Sequence, residues 1–143
     1  MLIKQISVFI ENKPGRLTEV TDLLAQYQVD ITALSLADTS EFGILRLIVD
    51  KPDAAQMALR EAGFAVKATE VLAVAMDDQP GGLASVLHTI AAAGVSIEYM
   101  YAFVGKRDGK AVVVMRVSDL DAAVTALQHD SKTLVNARDI YNV

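Results

Sequence analysis

At 143 residues the chain has room for one ordinary domain or two small ones, since domains seldom stand alone much below about 50 residues. Hydrophobic residues make up 52% and charged residues 22%, enough apolar material for a packed core and too little polarity for disorder. The net charge of -5 is spread evenly, with nine acidic residues up to position 68 and nine beyond it and no Lys/Arg cluster, so nucleic acid is not an expected partner.

The opening MLIKQISVFIENKPG carries one early Lys, and polar residues break its apolar run within a few positions. No signal peptide is expected there. Lys4 to Ile10 alternates, with Ile6, Val8 and Ile10 on one face, which is strand spacing. After Pro14-Gly15, Leu17, Val20, Leu24 and Tyr27 recur at three and four residues, the pattern of an amphipathic helix. Two β-rich runs follow at 31–38 and 43–49. Asp50 with Pro52 and Asp53 then reads as a helix cap, with Ala55, Ala58, Leu59 and Ala62 as the buried stripe and Gly63 as the stop. A short strand around 64–69 closes the series.

The series then begins again. Lys13-Pro14-Gly15-Arg16-Leu17 returns as Gln79-Pro80-Gly81-Gly82-Leu83, 66 positions later, and Leu72, Val74 and Met76 repeat the first strand. Leu83, Val86, Ile90 and Ala93 repeat the helix, with Gly94 at its left-handed end. Runs at 96–104 and 111–117 are joined by Lys106-Arg107-Asp108-Gly109-Lys110, an Asp-Gly hairpin signal. Asp53-Ala54-Ala55 returns as Asp121-Ala122-Ala123 after 68 positions, so the second copy has gained two residues, which belong in a hairpin loop. Ser118 with Asp121 predicts the next helix cap, Leu120, Ala123, Val124 and Leu127 its buried stripe, and 133–140 the closing strand. Both copies therefore read βαββαβ. The expected fold is α+β: two tandem ferredoxin-like modules at 1–68 and 69–143, each an antiparallel sheet with its helices on one face. The runs Ile44–Val49 and Val112–Val117 are apolar on both faces, so something should cover the second face, and a homodimer is expected. Arg46 and Arg116, alone in these runs, are expected at solvated edges.

At the Pro-Gly turns, Ile-Ser-Val-Phe-Ile-Glu-Asn-Lys-Pro-Gly-Arg-Leu, a helix and Val-Asp-Ile resemble the signature of ACT domains. The second copy, Leu-Ala-Val-Ala-Met-Asp-Asp-Gln-Pro-Gly-Gly-Leu followed by Ala-Gly-Val-Ser-Ile, resembles it equally well. The resemblance implies a cytoplasmic, stand-alone, non-catalytic regulator that senses a free amino acid bound between modules. It also implies which positions touch that ligand. They are Asn12 and Asp30 in the first copy and Asp78 and Ser96 in the second, with the turns Pro14, Gly15, Arg16 and Leu17, and Pro80, Gly81, Gly82 and Leu83.

Those residue types suit the task. Gly15 has no Cβ, so a ligand's polar head can approach amides at the helix start, where the helix dipole attracts a carboxylate. The two turns differ: the Asn12 amide can donate to a carboxylate, an ionised Asp78 only accepts, and Gly82 removes the cation that Arg16 supplies. If one site is occupied, the Asn12 turn facing Ser96 is favoured. The plainer alternatives are that the Pro-Gly pairs are only turns and that Asn12 and Asp78 are helix caps.

Nothing in the chain asks for a cofactor or a metal. There is no cysteine, which excludes a disulfide framework and a thiol nucleophile, and His88 and His129 stand alone as solvated helical residues. No nucleophile elbow, phosphate loop or zinc-protease motif is present. No apolar run reaches the roughly 18 residues of a membrane span. Tyr99, Tyr101 and Phe103 alternate on one strand face, as a ligand wall or as core and subunit interface. Two other functions stay open: a ligand-free module docking on a biosynthetic enzyme, and a small ferredoxin-like enzyme using the aromatic wall and one Asp.

Overall fold

A computed structural model describes residues 2–38 and 41–141. The chain divides into two compact units. Lys4–Thr69 with Ile140 and Tyr141 forms the first, and Glu70–Asp139 with Leu2 and Ile3 the second.

In the first unit, strand β1 (Ile3–Glu11) leads into helix α1 (Arg16–Gln26), strands β2 (Ile31–Asp38) and β3 (Phe42–Val49), and helix α2 (Pro52–Glu61). β3 pairs antiparallel with both β1 and β2, and Ile6, Val8 and Ile10 lie opposite Leu47, Leu45 and Gly43. The period-two pattern of β1 therefore aims its apolar set at α1 and α2. Ile6, Val8, Leu45 and Leu47 bury against Val20 and Leu24 of α1 and Ala55 and Leu59 of α2. Burying one such aliphatic side chain is worth about 1.5–3 kcal/mol.

The second unit repeats the plan with helix α3 (Gly82–Ala92), strands β5 (Ile97–Ala102) and β6 (Lys110–Val117), and helix α4 (Leu120–His129). β6 pairs antiparallel with β5 and with strand β4 (Ala65–Asp77), and Met76 lies opposite Ala111 as Ile10 lies opposite Gly43. Leu72, Val74, Val113 and Met115 pack on Val86, Ile90, Ala123 and Leu127. The opposite face is buried at Ala73, Val112 and Val114, and Tyr99, Tyr101 and Phe103 are half-buried. Arg107 stands 5.7 Å over the Phe103 ring and donates from Nη1 to the Asp139 carbonyl at 3.0 Å, which ties the C-terminal segment to the β5–β6 hairpin. Arg116 is half-exposed and pairs with Glu98 at 3.2 Å.

Three local expectations change. β4 runs unbroken from Ala65 to Asp77, so the closing strand expected around 64–69 and the strand of Leu72, Val74 and Met76 are one, because Lys67-Ala68-Thr69-Glu70 holds no turn residue. The closing strand expected at 133–140 shrinks to strand β7 (Thr133–Leu134) on β4, followed by a 3-10 turn at Ala137–Asp139. The Asp139 amide bonds back to the Asn136 carbonyl at 3.1 Å, a turn that Asn readily starts. The helix caps also move. α2 has Lys51 at its N-cap with no side-chain cap, and α4 is capped by Asp119, whose carboxylate accepts from the Ala122 amide at 3.0 Å.

Asp50 and Ser118 do something else, and do it twice. The Asp50 carboxylate accepts from the Asp30 amide at 2.8 Å, and the Ser118 hydroxyl accepts from the Ser96 amide at 3.0 Å. In return the Asp50 and Ser118 amides donate to the Asp30 and Ser96 carbonyls at 3.1 and 2.9 Å. Each clasp joins the end of the third segment to the entry of the second strand. Among the described residues no helix is long and apolar enough to cross a membrane.

Candidate functional site

The two Pro-Gly turns adopt the same conformation. Gly15 (φ +88°, ψ -13°) and Gly81 (φ +90°, ψ -11°) are the N-caps of α1 and α3, and neither helix start has a side-chain cap. Left-handed φ at these positions demands glycine. A Cβ at either would meet nothing within 4 Å, so backbone conformation, and not crowding, requires the residue. The N-cap positions are thus glycines, three residues beyond Asn12 and Asp78.

Around the first turn, Ile10, Glu11, Asn12, Lys13 and Leu17 border a cavity of about 220 Å³ with Leu36 of β2 and Gly43 of β3. Asn12 is exposed, and its backbone N–H donates to the Glu41 carbonyl at 2.9 Å. Lys13 pairs with Glu11 at 2.8 Å, and this hydrogen-bonded ammonium holds the Glu11 carboxyl below the usual carboxylate range. The rim thus carries a neutralised ion pair, while the wall is aliphatic: Leu17 is 36% and Leu36 51% exposed.

Arg16 is turned away from this cavity. Its guanidinium lies 4.7 Å over the Phe64 ring and pairs with Glu19 at 2.6 Å, while Nε is buried with no partner among the described residues. The cation expected to hold a ligand's acid group is engaged within its own unit, by a stacking contact worth about 1 kcal/mol and an exposed ion pair of about 0.5 kcal/mol.

The second turn is built differently. Asp78 pairs with Lys106 of the β5–β6 hairpin at 2.9 Å, and Asp77 pairs with Lys110. The hydrogen bond from Lys110 holds the Asp77 carboxyl below its ordinary value. The longer hairpin of the second copy therefore delivers lysines to the acids of that turn. A Cβ on Gly82 would fall inside the contact distance of the Asp77 carbonyl oxygen, so α3 starts closer to its strand than α1 does. Where the first unit has Phe64, the second has Lys132, whose ammonium bonds the Ser85 hydroxyl. A cavity of about 380 Å³ opens here, bordered by Pro80, Gly81, Gly82, Ser85, Lys110 and Lys132 among others.

Leu83 is half-buried, and Pro14 and Pro80 are exposed in the turns. Asp30 and Ser96 are exposed where their strands begin, with their backbone groups spent in the two clasps. Sequence reading missed Gly43, Leu36, Lys106, Lys110 and Lys132. A signal for the first was present, since a glycine inside an apolar strand marks a close approach.

A crystal structure of a protein from Bacteroides thetaiotaomicron shares 43% identity with this chain at a TM-score of 0.93, covering 100% of this chain and 98% of that one. The ligand-free regulatory subunit of aspartate kinase from Thermus thermophilus matches at 19% identity and a TM-score of 0.63 over 90% of this chain and 93% of its own. The corresponding subunit from Thermus flavus matches at 18% and 0.58, over 88% and 90%. At these identities the two Thermus proteins show the fold. None of the curated proteins matches the chain. The family described as the ACT domain pair matches residues 1–143, and the chain belongs to it.

Proposed function

We propose that this protein is a non-catalytic sensor that binds a free amino acid at the Asn12–Leu17 turn and thereby regulates amino-acid metabolism. ACT domains are in general amino-acid-binding regulatory modules. The observation that carries the reading is the 220 Å³ cavity at the first turn, which sets polar Asn12 beside aliphatic Leu17 and Leu36. A zwitterion matches that division. Its carboxylate suits the start of α1 through oriented amides and the helix dipole, and its side chain suits the leucines. At the second turn the acids are paired to Lys106 and Lys110, two cations that a ligand's ammonium group would have to displace. A second copy of the chain, closing over exposed Leu36, completes the site and makes the protein a homodimer. Ligand binding regulates by favouring one of two arrangements through differential affinity.

The test is a thermal-shift screen against the standard amino acids at millimolar concentration. A ligand present at 100 times its Kd stabilises the folded state by about 2.7 kcal/mol. Asn12→Ala and Gly15→Ala should each remove the shift. A second reading, a ligand-free module docking on a biosynthetic enzyme, draws support from Phe9 and Phe42, which are 44% and 53% exposed. A flat screen would bring it forward.

A further inference from the structure

The two copies of the turn site differ at matched positions in a way that bears on ligand chemistry. Gly43 lies opposite Ile10 in the first unit, and Ala111 lies opposite Met76 in the second. Leu36 lies opposite Leu45, and its counterpart Ala102 lies opposite Val113. The first unit therefore has a large aliphatic wall and no side chain on the floor, while the second has a small wall and a methyl group on the floor.

We propose that the first turn is selective for an uncharged, branched aliphatic amino acid and that Gly43 sets the size it accepts. This rests on the reading of that turn as an amino-acid site. A methyl at Gly43 would stand 3.3 Å from Leu36 Cδ1 and 3.7 Å from Ile10 Cγ1. Both side chains border the cavity, so the absent Cβ is part of the space itself. The smaller of the two turn cavities, about 220 Å³ against about 380 Å³ at the second turn, is the one whose wall is aliphatic, and a methyl at Gly43 would narrow it further. Among the described residues that border the cavity the charges are Glu11 and Lys13, paired at 2.8 Å, so an acidic or basic ligand side chain would have to break that pair. Leu17 and Leu36 are large aliphatic residues left exposed around the opening, the kind of surface an apolar ligand covers.

The experiment is calorimetric titration of the full chain with L-valine, L-leucine and L-isoleucine against L-aspartate, L-lysine and L-phenylalanine. It is repeated on Gly43→Ala, Asn12→Ala and, as a control in the second unit, Ala111→Gly. A methyl at Gly43 also stands 3.5 Å from the Ala37 carbonyl oxygen, so the thermal unfolding transition of Gly43→Ala is recorded beside each titration to show that the variant is folded. The expected result is that the aliphatic set binds tightest and that Gly43→Ala weakens leucine by about 10-fold or more, the effect of one methyl group in an apolar pocket. Ala111→Gly leaves binding unchanged. Tightest binding by a charged or aromatic amino acid, lost in Asn12→Ala, overturns the selectivity and keeps the sensor reading. Aliphatic binding indifferent to Gly43→Ala overturns the role of Gly43. Binding of none overturns the sensor reading itself.

Discussion

Replacing Asp50 with Ala removes the acceptor of the 2.8 Å bond from the Asp30 amide and leaves the backbone half of the clasp, the 3.1 Å bond from the Asp50 amide to the Asp30 carbonyl, in place. Asp30 is exposed, so water takes over its freed amide and the loss is the net value of one hydrogen bond, about 1 kcal/mol. For a chain of this size that lowers Tm by about 3–5 °C. Asp50→Asn keeps an acceptor oxygen and should lose about half as much, since charge-assisted bonds are roughly twice as strong as neutral ones. Ser118→Ala should cost a similar amount through the Ser96 amide, and the double variant should lose about the sum, because the clasps share no partner. Amide hydrogen exchange separates this account from helix capping. In Asp50→Ala the Asp30 amide loses protection while exchange at the Asp53 and Ala54 amides, which no side chain caps, is unchanged. Loss of protection at Asp53 and Ala54 instead, with Asp30 unaffected, would refute the clasp and restore Asp50 as the cap of α2.

Gly82→Ala should destabilise the protein by about 1–3 kcal/mol, because the added methyl must push α3 away from the Asp77 carbonyl. Glycine-to-alanine changes inside helices ordinarily stabilise by about 1 kcal/mol, so an unchanged or raised Tm would show that the helix start yields freely. In acid the two turn carboxylates act together. Lys13 lowers the Glu11 pKa below 4.5 and Lys110 lowers the Asp77 pKa below 3.8. A lowered folded-state pKa means stability that is present above the unfolded-state value and lost as pH falls through the folded one. The Tm difference between the native chain and a Glu11→Gln/Asp77→Asn variant should therefore be present at pH 7, shrink as pH falls below these values, and shrink with added salt. A difference constant down to strongly acid pH would remove the ion pairs as its source.

What the sequence by itself determined is local. Alternation at Ile6, Val8 and Ile10 and the three- and four-residue spacing of Val20 and Leu24 place the elements, because each period is set by backbone geometry and one buried face. The twin Pro-Gly turns reveal the repeat, and the left-handed φ of Gly15 and Gly81 follows from a demand that glycine alone meets cheaply. Tertiary structure decided which side chains meet. Nothing near Asn12 in the sequence announces Leu36 and Gly43 as its neighbours, which arrive through the pairing of β3 with β1 and β2. Arg16 looked like a ligand cation until Phe64, 48 positions away, offered its ring. Asp78 looked like an acceptor until the two-residue insertion carried Lys106 to it. A charged or polar tip takes the best of several partners within reach, and that choice depends on where distant strands set their side chains.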